Sequence, residues 1–251
     1  MLTFVETGNK YGTMNIGTMS KCLTPIEKKR EFMVNRMIAG EEYGFDGHKM
    51  FMADQVDKTG TYFKITADYV EANPNGWTDI NEDILIITDE LPGVAIGHPV
   101  ADCPVIVMED VKQGVCAMGH CSAALIDKKM PMMIADALVD AYGSSDEDIS
   151  AYISACAGPT WKYDSYPKWA TDENLWSNVI IEEKNGVFRI DLRKAIKKQL
   201  EERNITKSIY NLDDTITNPN YYSNYASSES GLNNKNKYGR NFAGAFYKVK
   251  K

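Results

Sequence analysis

The sequence has few histidines and no long apolar run, and both shortages exclude classes of protein. Its 251 residues include only 3 histidines, whereas a cluster of several copper ions needs many imidazole ligands. We therefore expect no copper cluster. No apolar stretch approaches the roughly 18 residues of a membrane-spanning helix, and Met1–Asn9 lacks the basic and apolar blocks of a signal peptide. These features predict a protein that does not enter a membrane.

Cysteine usage and net charge indicate the cellular compartment and the type of partner. The chain has 5 cysteines and a formal charge of −7 at pH 7. An odd number of scattered cysteines, outside zinc-knuckle spacing, is typical of a reduced cytoplasmic protein. The acidic balance argues against nucleic acid or an anionic membrane as partner, so we expect a small molecule. The cysteines are Cys22, Cys103, Cys116, Cys121 and Cys156.

One stretch in the middle of the chain has the pattern of a β-hairpin. Pro104–Met108 and Val115–Met118 are apolar, and the polar segment Glu109–Gly114 between them ends in glycine. Antiparallel pairing would bring Cys103, before the first strand, close to His120, after the second. An imidazole can activate a thiol as a nucleophile, or both side chains can bind one metal ion. The pattern alone leaves both alternatives open.

The rest of the chain predicts an α+β protein. Helices are expected from Pro25 to near Gly40, with Ile26, Met33 and Met37 inward, over Met130–Tyr142, and after Asp191. Further strands are expected near both ends and between the helices, which favours one layered domain. They are residues 1–7, 48–52, 61–67, 84–88, 94–96, 149–156, 179–182, 187–190 and 242–249, with a long loop over 218–237.

The motif Ala101-Asp102-Cys103-Pro104, followed by His120 after the next strand, resembles the family long labelled laccase domain or polyphenol oxidase. Shorter matches follow in the family's order. They are Met14–Gly17, Asn35-Arg36, Gln55-Val56-Asp57, Gly158-Pro159, Asp191-Leu192 and Gly239-Arg240. The resemblance covers most of residues 1–251.

This resemblance implies a four-layer α-β-β-α sandwich with mixed sheets in a single domain, similar to the catalytic domain of cytotoxic necrotising factor toxins. It implies phosphorolysis or deamination of purine nucleosides such as adenosine or inosine, with phosphate as a second substrate. Cys103 and His120 would be catalytic and, with Asp57, would bind zinc. Arg240 and Asn35 would bind substrate.

The sequence also departs from the family. Asp57 stands where the family has a histidine, which predicts weakened zinc binding. Two arginines of the family motifs are absent, after His120 and near Tyr225. A metal-free Cys-His hydrolase or deamidase, or a scaffold that has lost its activity, therefore remain alternatives.

Three aromatic residues and one further histidine have two interpretations each. Trp161, Tyr166 and Trp169 could stack on a purine base or form a structural patch. His98 precedes a proline, and we expect a surface or capping role in preference to a spare metal ligand.

Overall fold

A computed structural model describes residues 1–14, 25–53, 60–76, 80–183, 185–228 and 233–249. The strands are β1 (Leu2–Glu6), β2 (Met50–Met52), β3 (Tyr62–Lys64), β4 (Ile84–Thr88), β5 (Ala95–Val100), β6 (Val105–Asp110), β7 (Val115–His120), β8 (Ile149–Ile153), β9 (Lys162–Tyr163), β10 (Ile180–Glu182), β11 (Phe188–Ile190), β12 (Lys207–Tyr210) and β13 (Asn241–Tyr247). The helices are α1 (Pro25–Tyr43), α2 (Ala67–Ala72), α3 (Ala123–Asp127), α4 (Met130–Tyr142), α5 (Glu173–Trp176), α6 (Leu192–Glu202) and α7 (Asn224–Ser227).

Two larger sheets carry the fold. The 6-stranded sheet has the order β12-β8-β6-β7-β4-β3, and the 4-stranded sheet has the order β1-β13-β5-β2. Strands β12 and β3 in the first sheet and β2 in the second pair in parallel, whereas the other pairs are antiparallel. The predicted α+β class with mixed sheets is confirmed. No helix among the described residues is both long and apolar enough to cross a bilayer.

Strand β6 shows how alternating side chains build the core. Ile106 and Met108 belong to an apolar cluster shared with α3, α4 and α6. Val105 and Val107 face the other way, into a cluster shared with β5 and β13 of the second sheet. Burial of one such side chain contributes about 1.5–3 kcal/mol. Because alternate side chains of β6 face opposite sides, the hairpin packs between a helical layer and a second sheet.

Helix α1 buries a different face from the predicted one. Met37 is 37% exposed, while Phe32 and Arg36 are fully buried. Phe32 packs with Phe242 of β13 in a third apolar cluster. The Arg36 guanidinium donates a hydrogen bond to the Asn75 carbonyl. The prediction was wrong for Met37, while Met33 is partly buried and the Ile26 side chain lies outside the described residues. Tertiary contacts supply a partner for Arg36, a polar side chain that periodicity assigns to the surface.

Several element boundaries also differ from those predicted. The strand predicted over residues 61–67 ends at Lys64, since Thr66 caps α2. Helices α2 and α3 and strand β12 were not predicted. The strand predicted over residues 94–96 continues to Val100 as β5, paired along its length with β13. This extension places His98 inside a sheet.

Glu6 joins the two larger sheets at their edge. The carboxylate of Glu6, at the end of β1, accepts hydrogen bonds from the Tyr152 hydroxyl on β8 at 2.5 Å and from the Ala155 amide at 2.5 Å. The side-chain amide of Asn211 donates a third at 2.6 Å. Next to this group, the rings of Phe4 and Tyr152 stack with centroids 4.2 Å apart.

Glu6→Ala should therefore lower the free energy of unfolding by about 2–3 kcal/mol, because it leaves three donors without an acceptor. Urea denaturation measures this loss. Glu42→Ala is the matched control, since Glu42 pairs with Lys10 across exposed side chains and removal of an exposed ion pair should change the stability little. Equal losses in the two variants would show that Glu6 does not hold the sheets together.

Candidate functional site

The β6–β7 hairpin has the predicted antiparallel pairing. Val105 lies opposite His120, and the Cys121 amide donates to the Pro104 carbonyl at 2.8 Å. The turn closes at Gly114, which has a φ of +62°, a conformation that favours glycine. The backbone positions of Cys103 and His120 therefore lie at the same open end of the hairpin.

Cys103 lies just before β6 as a free, partly exposed residue. Burial of its thiol and the neighbouring Asp102 carboxylate raise the pKa of Cys103 to about 12. The Arg240 charge and the Ala123 backbone act in the opposite direction without overcoming this effect. At neutral pH the thiol is therefore protonated, and a bound cation would be needed to form the thiolate.

His120 stacks on a second histidine that we had expected at the surface. The rings of His98 and His120 have centroids 4.6 Å apart and planes inclined by 18°. His98 is only 7% exposed, so the surface prediction was wrong. Its position on β5, facing β7 across the space between the sheets, explains the burial. Nothing in the local sequence shows which strand lies opposite.

Both imidazoles are neutral at physiological pH. Burial lowers the pKa of His98 to about 4, an effect that the Arg240 charge reinforces and the Ala53 backbone opposes. Burial, His98 and Arg240 together hold the pKa of His120 well below its usual range. Among the described residues, Nδ1 of each ring is buried and has no hydrogen-bond partner.

Arg240, which precedes β13, and Asn35 of α1 both bond to the segment around Thr13. The Arg240 charge acts on Cys103, His98 and His120, and its backbone amide donates to the Thr13 hydroxyl at 3.0 Å. The side-chain amide of Asn35 donates to the Thr13 carbonyl at 2.8 Å. Asn35 therefore supports the segment next to Arg240, and its contact with substrate stays a prediction.

Asp102 and Lys237 bind the loop over residues 215–225, which lies beside Cys103. Asp102, at a φ of +85°, accepts hydrogen bonds from the Thr215 hydroxyl at 2.8 Å and the Tyr225 amide at 2.7 Å. The buried ammonium of Lys237 donates to three backbone carbonyls of the same loop, those of Thr215, Asn218 and Tyr221. Sequence reasoning missed Lys237, which lies in a polar segment with no distinguishing pattern.

This loop and the Cys103 segment enclose a cleft of about 400 Å³. Three aromatic residues line it, namely Trp161, Tyr163 and Tyr225, and Lys162 adds a positive charge. Trp169 instead packs against Trp176, and Tyr166 contacts Phe188. The aromatic patch is therefore divided between cleft-lining and structural residues. Lys162 is a cation that sequence matching did not identify.

The donor atoms at the site suit zinc, although they do not form a finished ligand set. Imidazole nitrogen and thiolate sulfur are the ligands that zinc prefers, and His98, His120 and Cys103 supply them. Within the described ranges, no three His, Cys, Asp or Glu side chains are grouped so that they could hold a metal ion. Asp57, the predicted third ligand, lies outside the described residues.

The buried histidines predict acid-sensitive stability. The folded chain binds protons at His98 only near pH 4, whereas an unfolded histidine does so near about 6.5. Protonation therefore favours the unfolded chain, and stability falls as the pH drops between these values. From about pH 7 to about pH 4.5, His98→Gln should lose about 2 kcal/mol less than the native protein. Urea denaturation at both pH values measures the difference.

His48→Gln is the matched control, because His48 is exposed and its variant should keep the native pH dependence. The same pH dependence in all three proteins would contradict the assignment of His98 as a buried neutral group.

Comparison with known proteins identifies relatives of the same fold. Residues 6–246 match a family described as "Multi-copper polyphenol oxidoreductase laccase". YlmD from Geobacillus stearothermophilus superposes with a TM-score of 0.77 at 16% identity, over 99% of this chain and 92% of that one. The hypothetical protein YfiH from Bacillus licheniformis gives 0.74 at 16%, over 98% and 92%. Neisseria meningitidis protein NMB0706 gives 0.66 at 14%, over 98% and 91%.

No curated protein sequence matches the chain, and identities this low show the fold alone. The family match spans nearly the whole chain, and the Ala-Asp-Cys-Pro motif begins the hairpin that forms the site. The chain belongs to the family described as multi-copper polyphenol oxidoreductase laccase.

Proposed function

We propose that the protein processes purine nucleosides, by phosphorolysis of adenosine or inosine or by deamination of adenosine, in the cleft beside Cys103. The observation that carries the proposal is the meeting of Cys103, His120 and Arg240 at the end of one hairpin, next to a cleft lined by aromatic rings. A volume of about 400 Å³ lies within the usual range for small-molecule sites. Flat aromatic walls suit a purine base.

Each residue has a role that either reaction would use. Trp161 and Tyr225 would stack on the base. Without a bound metal, neutral His120 would accept the proton of an attacking water; as a zinc ligand it would have no lone pair left for this role. In deamination, water adds at C6 of the purine and the amino group leaves as ammonia. In phosphorolysis, a phosphate oxygen bonds to C1′ of the ribose as the bond to the purine nitrogen breaks. Zinc held by Cys103 and His120 would supply Lewis-acid activation.

Positive charge supports the phosphate-dependent reaction. Arg240 acts on all the candidate catalytic groups, and Lys162 lines the cleft. The ion pair of Lys162 with Glu183 is long, at 4.0 Å between partly exposed side chains, so it competes weakly for the lysine. These two cations would supply the positive charge that a bound phosphate needs.

The metal-free hydrolase is less well supported than nucleoside processing. A cysteine nucleophile needs a lowered pKa, whereas the pKa of Cys103 is raised to about 12. The two neutral imidazoles do not provide the positive charge that would stabilise a thiolate.

Turnover of a nucleoside panel tests the proposal. We expect the native protein to release purine base or ammonia from adenosine or inosine with zinc present, measured by liquid chromatography with and without phosphate. Cys103→Ala should reduce turnover at least about a hundredfold, as expected for loss of a catalytic group. Cys116→Ala is the control, since Cys116 is a buried core thiol. If the native protein turns over no nucleoside, the proposal is wrong, and the interpretation as a scaffold that has lost its activity remains.

The aromatic wall predicts a specific loss of binding. Trp161→Leu removes a ring that lines the cleft and should raise KM for the nucleoside about tenfold, since base stacking contributes roughly 1–3 kcal/mol. Steady-state kinetics with the best substrate measures the change. Tyr166→Leu, an exposed aromatic outside the cleft lining, should leave KM unchanged. Equal effects of the two substitutions would contradict base stacking on Trp161.

A further inference from the structure

The antiparallel register of β6 against β8 continues beyond the ends of both strands. The Ser154 amide donates a hydrogen bond to the Val105 carbonyl at 3.0 Å. Further along, the Ala157 amide donates to the Asp102 carbonyl at 2.7 Å. The two bonds enclose two residues of each segment, so that each enclosed residue lies opposite a defined partner in the other segment.

Cys103 and Cys156 form one of the two opposed pairs in this interval. Opposite residues of antiparallel strands have Cα atoms about 4.5–5.5 Å apart, and a disulfide spans about 4.4–6.8 Å between Cα atoms. Opposite side chains also project from the same face of the sheet. Both cysteines are free. Two thiols therefore occupy backbone positions that suit a disulfide.

Hydrogen bonds hold the backbone on both sides of this pair. The Cys156 carbonyl accepts bonds from the Thr215 amide at 3.1 Å and from the Arg193 guanidinium at 3.3 Å. The Val105 amide donates to the Ser154 hydroxyl at 2.9 Å. Because these bonds already fix the two segments side by side, a disulfide requires rotation of the cysteine side chains and no rearrangement of the backbone.

A third cysteine lies near the pair but faces another layer of the fold. Burial raises the pKa of Cys121 and of Cys156, and a charge on Cys103 adds to both effects, so both thiols are close to Cys103. The Cys121 side chain belongs to the apolar cluster on the helical side of the sheet. Alternation places Cys103 on the same face as Val105, which belongs to the cluster on the opposite side. The sheet therefore favours Cys156 as the partner.

We propose that Cys103 and Cys156 form a reversible disulfide, which removes the Cys103 thiol from the cleft. Cys103 is partly exposed and lines the cleft, whereas Cys156 is fully buried. A small disulfide such as oxidised glutathione therefore reaches Cys103 first. Cys156 then acts from inside the protein and does not need access to solvent.

The reaction consists of two successive thiol–disulfide exchanges. Cys103 loses its proton to solvent, and its sulfur attacks one sulfur of oxidised glutathione. The glutathione S–S bond breaks, and the first glutathione leaves and takes up a proton. Cys156 loses its proton and attacks the Cys103 sulfur, which releases the second glutathione in the same way. In total, two cysteine thiols are oxidised to one disulfide, and one oxidised glutathione is reduced to two thiols.

Incubation of the purified full chain with oxidised glutathione tests the pairing. A chelator keeps metal ions from Cys103. Because the raised pKa of both thiols slows the exchange, incubation continues until the linked fraction is constant. Free thiols are then alkylated, and the digested protein is analysed by mass spectrometry. We expect two peptides joined through Cys103 and Cys156, with a mass about 2 Da below the sum of the reduced peptides.

Two results of this mapping overturn the proposal. One is the absence of any linked peptide. The other is a link from Cys103 to Cys121 or to Cys22, a cysteine outside the described residues. The mapping uses the native protein, so it decides the pairing even if no variant can be purified.

Two serine variants identify the thiol that displaces glutathione. In Cys156→Ser, a glutathione adduct on Cys103 should accumulate at least about tenfold above its level in the native protein, because the second exchange is lost. Cys121→Ser is the matched control, since Cys121 is equally buried and also close to Cys103; this variant should form the native link. Unless accumulation of the adduct is specific to Cys156→Ser, the proposal is wrong.

The effect on catalysis rests on the proposed function, whereas the disulfide does not. The linked protein should turn over nucleosides at least about tenfold more slowly, and dithiothreitol should restore turnover. A protein that forms the link but turns over no nucleoside in either state would remove the proposed function and leave the disulfide in place. Turnover by a protein that forms no link would overturn the disulfide and leave the proposed function.

Discussion

The register of β6 against β7 is the constraint on which the site depends. Val105 lies opposite His120, and successive side chains of a strand face opposite sides of the sheet. A shift of one residue would turn His120 from the space between the sheets toward the helical layer and separate it from His98. The apolar clusters on both faces of β6 hold this register, so the packing of the core also fixes the chemistry at the hairpin's open end.

Burial sets the protonation state of every group gathered there. It raises the pKa of Cys103 and lowers those of His98 and His120. In each case burial favours the neutral form over the charged one. Arg240 adds a positive charge beside these groups. The group therefore consists of a neutral thiol and two neutral imidazoles next to the Arg240 cation, an arrangement less suited to free thiolate chemistry.

Long-range contacts build the cleft itself. Asp102 adopts a left-handed conformation and binds the loop over residues 215–225, and buried Lys237 holds the same loop by its carbonyls. These groups satisfy backbone atoms that would otherwise be buried without partners. Charged side chains near Cys103 thus organise the backbone, while the neutral aromatic residues form the wall that would face a substrate.

The sequence by itself determined the hairpin, the α+β class and the placement of Cys103 and His120 at the same end of the hairpin, because alternating apolar runs and a glycine turn are local signals. It did not determine the burial of His98, the inward face of α1 or the walls of the cleft. Those depend on which strand or loop lies opposite. His98 of β5 stacks on His120 of β7 across the space between the sheets. Arg36 of α1 donates a hydrogen bond to the backbone carbonyl of Asn75. Such partners lie far away in the chain, so only the tertiary structure could decide them.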